Sequence, residues 1–71
     1  MISLENNAWI SFCKMFRGGG FPHQRFGQAF FNHFNLHKMQ NSVNKLTLDR
    51  IYNAKSEPEA VQHIFSMFQL H

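Results

Sequence analysis

The chain has 71 residues, with nine Phe, one Trp and one Tyr, and its seven Lys and Arg against four Asp and Glu give a net charge of +3. A length of this order accommodates one domain, residues 1–71, burying only about 60% of its unfolded surface, so aromatic side chains must supply much of the core. The single cysteine, Cys13, excludes an internal disulfide, no apolar run reaches the ~20 residues of a membrane span, and Met1 to Asn7 lacks the basic start of a signal peptide.

The expected setting is the cytoplasm, with no membrane partner. The basic residues Lys14, Arg17, Arg25, Lys38, Lys45, Arg50 and Lys55 are spread along the chain rather than run together. That distribution helps a nucleic-acid partner without demanding one.

In chain order, Ser3 offers a helix N-cap and Glu5 a first-turn charge. Leu4, Ala8, Trp9, Phe12, Cys13 and Phe16 then recur every three or four positions, which predicts a helix at about residues 4–17. Gly18, in the run Gly18 to Gly20, is the expected left-handed residue that ends it. Pro22 can open a second helix at its first turn. Phe26, Ala29, Phe30, His33, Phe34 and His37 carry the helical spacing onward, to about 22–36. Gly27 costs a helix interior about 1 kcal/mol relative to Ala, which a close approach by a neighbouring element would offset.

Residues 37–46 show weak periodicity and read as a loop with room for a frayed helical turn. Thr47 can cap a short helix at about 48–54 through Leu48, Ile51 and Tyr52. Ser56, Pro58 and Glu59 form a capping-box signature before the stripe of Ala60, Val61, Ile64, Phe65 and Phe68, predicting a last helix at about 57–69. No segment alternates, so no sheet is expected. The fold class is all-α: a small irregular bundle of three main helices and one short one.

Chemistry is sparsely supplied. His33 and His37 are four apart, and Cys13 or His63 offers a third ligand, but a zinc site needs three or four converging ligands and no metal-binding signature is present. The segment from Arg17 through the glycines to His23 and Arg25 can hold an anion at a helix start, although it matches no phosphate-loop pattern; a plain helix connection is the preferred reading. Glu57, Glu59, Glu5 and Asp49 each have a helix-start role, leaving no carboxylate pair for acid–base work. The expectation is a non-enzymatic protein with no catalytic, metal or cofactor site.

Two binding roles remain. Helical spacing gives more aromatic side chains than a three-helix core strictly requires; either all of them pack into the core, because a small domain needs large side chains, or the surplus forms a surface for a protein partner or for self-association. The expected contact residues are Arg17, Phe21, Arg25, Gln28, Phe31 and Asn32. The alternative is weak nucleic-acid binding through the basic and polar face of residues 17–28, with Lys14.

The stretch Arg25-Phe26-Gly27-Gln28-Ala29-Phe30-Phe31-Asn32 resembles a family of very short bacterial and phage-encoded proteins of unknown function. They share an R-[FY]-G-Q-x-[FL]-x-N helix, followed by a short aromatic segment, here Leu48 to Tyr52, and a closing amphipathic helix, here Ala60 to Phe68. The resemblance spans about two-thirds of the chain and implies a fold but no activity; its setting would be a phage or mobile-element accessory acting on a host component. Arg25, Gln28 and Asn32 share one helix face. Their preferred role is to tie that helix to the adjoining loop, with partner contact as the alternative.

Overall fold

The computed structural model describes residues 2–39 and 45–71. In chain order the elements are β1 (Ile2–Leu4), α1 (Asn6–Arg17), α2 (Phe26–His33), a 3-10 turn (Leu36–Met39), α3 (Lys45–Asn53), α4 (Glu57–Met67) and β2 (Phe68–Leu70). The molecule is mainly helical, as expected, but β1 and β2 pair in parallel, Ile2 opposite Phe68 and Leu4 opposite Leu70. This corrects the expectation of no sheet. Three residues are too few to display a period of two, and each strand's partner lies at the far end of the chain.

Several helix ends also move. Ser3 is a strand residue and Glu5 occupies the N-cap of α1 without a side-chain bond, so α1 starts at Asn6 rather than residue 4. At its other end the left-handed residue is Gly19 (φ +84°), not Gly18 (φ −81°). Gly20 N–H donates to the Met15 carbonyl and Gly19 N–H to that of Phe16, at 2.9 and 3.1 Å. Those bonds form a Schellman closure one residue later than expected.

Pro22 does not open α2. The chain turns through 21–24 and the helix runs only from Phe26 to His33, with Asn35 leaving it at φ +54°. Thr47 lies inside α3 rather than capping it, because the helix already includes Lys45 and Leu46. The expected loop at 37–46 is a 3-10 turn as far as Met39 and helix from Lys45; residues 40–44 lie outside the described residues. Helix α4 starts as expected, with Glu59 N–H donating to Ser56 Oγ at 3.3 Å and Pro58 in the first turn. It stops at Met67, and Phe68 continues as strand.

The core is an aromatic cluster centred on Phe12, which is fully buried. Its ring meets Trp9, Phe16, Phe21, Phe26, Phe30 and Phe34 at centroid separations of 5.2 to 6.4 Å. Such contacts add to the burial of each ring. Gly27 accounts for the join of α2 to α3 and α4. A Cβ placed there would lie 1.8 Å from the Ile51 carbonyl oxygen and 3.4 Å from Ala60 Cβ, so the close approach expected of this glycine is present.

Candidate functional site

The residues expected to form one contact face do not form it. Phe31 is buried, with its ring edge-on to Tyr52 at 5.1 Å, so it offers no contact to a partner. Phe21 is half-buried against Phe12 and Phe16. Gln28 Oε1 accepts the Arg25 N–H at 3.1 Å, and Asn32 Nδ2 donates to Gln24 Oε1 at 3.0 Å. Arg25 has no side-chain acceptor and cannot return the cap bond. Gln28 and Asn32 thus tie α2 to the turn before it, which is the structural role. Arg17 lies elsewhere, on the last turn of α1, where its guanidinium pairs with Glu57 Oε2 at 2.8 Å.

None of the nine Phe is exposed: Phe12, Phe26, Phe30, Phe31 and Phe68 are buried, and Phe16, Phe21, Phe34 and Phe65 half-buried. Of the two readings of the aromatic excess, the phenylalanines follow core packing and not a surface surplus: the rings pack on one another around Phe12. His33 also belongs to that cluster, its ring 5.4 Å from Phe12 and 4.8 Å from Phe34. Among the described residues, no three His, Cys, Asp or Glu side chains converge as metal ligands.

The structure instead opens a groove of about 550 Å³ between α1 and α4. Trp9, Ile10, Cys13, Lys14 and Arg17 form one wall, and Glu57, Val61 and Phe65 the other. Each set follows helical spacing, so each is one stripe along its helix. The helices run antiparallel here: Arg17 near the end of α1 meets Glu57 at the start of α4, while β1 and β2 join their opposite ends. The groove is thus bounded at one end by the Trp9–Phe65 contact, beyond which the strands pair, and at the other by the ion pair. Both charges of that pair sit at the helix terminus whose dipole favours them.

The floor is apolar. Trp9 and Phe65 meet edge-on at 5.0 Å, both half-buried, and Val61 is half-buried beside them. Ile10 stands on the rim, 42% exposed. Cys13 is buried, and its thiol pKa is raised by that burial, partly offset by the Arg17 guanidinium. Lys14 and Arg17 are exposed on the same rim.

Sequence reasoning passed over this site for a definable reason. In the sequence Val61 and Phe65 merge into one apolar stripe with Ala60, Ile64 and Phe68, whereas on α4 they form a separate, half-buried row. Ile10 falls just outside the main stripe of α1. The available signal was the width of both stripes, each broader than one neighbour can cover. No protein-family model, curated protein or solved structure matches the chain. Among the described residues no helix is long and apolar enough to cross a membrane.

Proposed function

We propose that this protein is a non-enzymatic protein-interaction module whose contact surface is the α1/α4 groove, and that the groove receives a helical segment of a partner protein. The observation that carries this reading is the apolar trough of Trp9, Val61 and Phe65 with Ile10 exposed on its rim. A helix suits the trough better than an extended peptide. Both walls are helices whose backbone groups are already paired, so an extended chain would leave its own N–H and C=O groups over an apolar floor without partners, at a cost. A helix satisfies those groups internally. A little over two turns, about 12 Å, match either wall, Trp9 to Arg17 or Glu57 to Phe65, and an amphipathic helix seated in a groove is a common recognition mode.

Nucleic-acid binding draws less support. Arg17 is paired with Glu57, the polar groups of Gln28 and Asn32 are bonded within the chain, and Glu57 adds a negative charge beside Arg17 and Lys14.

The test is a backbone-amide NMR titration with a synthetic, uncharged amphipathic helical peptide of roughly 15 residues. Chemical-shift changes confined to α1 and α4, and lost in Ile10→Lys, are expected. Changes centred on α2 or α3, or none at millimolar peptide, would end the reading.

A further inference from the structure

We infer that the helix seated in the α1/α4 groove is acidic, with a carboxylate placed to meet Lys14. This rests on the reading of the groove as a helix-docking surface. Three charged side chains line it: Lys14, Arg17 and Glu57. Arg17 and Glu57 neutralise one another at 2.8 Å. Lys14 is then the uncompensated charge, exposed on the α1 rim above an apolar floor.

Among the described residues no other carboxylate lines the groove. Glu5 stands at the opposite end of α1, Asp49 is on α3, and Glu59 is two positions from both Glu57 and Val61, hence on the far side of α4. The segment 40–44 contains no acidic residue. A ligand carboxylate one helical turn from its apolar anchors reaches Lys14 while those anchors cover Trp9, Val61 and Phe65.

A second copy of this chain suits the groove poorly. A two-fold contact sets the same patch against itself, bringing one net positive charge against another. It would also have to cover about 800 Å² of each copy, a large fraction of a total surface of 4598 Å². Among the described residues the other exposed large apolar side chains do not extend the patch: Met15 is on another side of α1, Leu46 is on α3 and Leu70 is in β2.

Trp9 is the only tryptophan and lies in the groove, so its emission reports occupancy directly. The probes are three synthetic helical peptides without Trp or Tyr, sharing one apolar stripe and differing only in flanking positions: all Glu, all Gln or all Lys. At low salt the Glu peptide is expected to bind the full-length protein about tenfold tighter than the Lys peptide, the scale of a few exposed charge contacts. The gap should shrink at about 0.5 M NaCl, where screening acts over only a few ångströms. Lys14→Glu, an exposed substitution that leaves the floor intact, should reverse the order.

Equal affinities for the Glu and Lys peptides, or an order unchanged by Lys14→Glu, would overturn the acidic preference while leaving helix docking in place. Failure of all three peptides, the Gln form included, to move Trp9 emission would overturn both readings. A concentration-dependent Trp9 change in the protein alone, matched by a dimer in sedimentation and abolished by Ile10→Lys, would make a second copy the occupant and overturn the proposal as well.

Discussion

Two residues join local chemistry to the whole structure most directly. Gly27 sits where the Ile51 carbonyl presses on α2, and an added methyl would overlap that oxygen at 1.8 Å. Helix propensity alone predicts that Gly27→Ala stabilises by about 1 kcal/mol. Overpacking against backbone predicts a loss of about 1–3 kcal/mol or more. The structure favours the loss, and a urea denaturation midpoint decides by its direction. Cys13 is the second. Its thiol pKa is raised by burial, so the folded state holds the thiol proton more tightly than the unfolded chain does. The resulting stability is fully present below the ordinary thiol range, near 8.5, and declines as pH rises through it toward the folded value. Urea midpoints between about pH 7 and 10 should therefore fall more steeply in the native protein than in Cys13→Ala; parallel curves would contradict this account.

Among the elements, the paired strands at the two ends set the position of α1. His71 N–H donates to the Leu4 carbonyl at 3.1 Å, and Asn6 N–H donates to the His71 carbonyl at 3.0 Å, which ties the start of α1 to the end of the chain. Phe68 points inward, edge-on to Phe30 at 5.7 Å, whereas Gln69 points out. Phe68→Ala should cost about 3–5 kcal/mol in chemical denaturation, and Gln69→Ala no more than about 0.5 kcal/mol. Similar losses at both positions would refute the register. These strands were not legible in the sequence, since their pairing is set by contacts across the whole fold. The start of α4 was legible because Ser56 and Pro58 act within one turn. The start of α2 was not: its cap comes from Gln28 reaching back to Arg25 and from the Gln24–Asn32 bond, with none of the usual Ser, Thr, Asp or Asn signal. The Gly27 contact was foreseen from cost alone, whereas its partner, Ile51, required the folded chain.

Across the whole molecule, the abundance of Phe is explained by one shared cluster rather than by a surface. Phe12 brings α1 onto α2, Gly27 lets α2 meet α3 and α4, and the strands with the Arg17–Glu57 pair hold α1 alongside α4. The groove exists because α1 is fastened to α4 at its two ends and packs its central aromatic residues largely toward α2. The candidate site is therefore a product of tertiary arrangement, which is why its residues carried only a faint trace in the linear pattern.

The register that sets Ile2 against Phe68 and Leu4 against Leu70 also has a kinetic side. Contacts between residues so distant along the chain bring a larger loop-closure entropy and slow folding relative to neighbour-to-neighbour pairing. Helix α1 meets α2 through the closer-lying Phe12, Phe26 and Phe30 contacts, so its alignment beside α4, which needs the distant strand pairing, is the slower step.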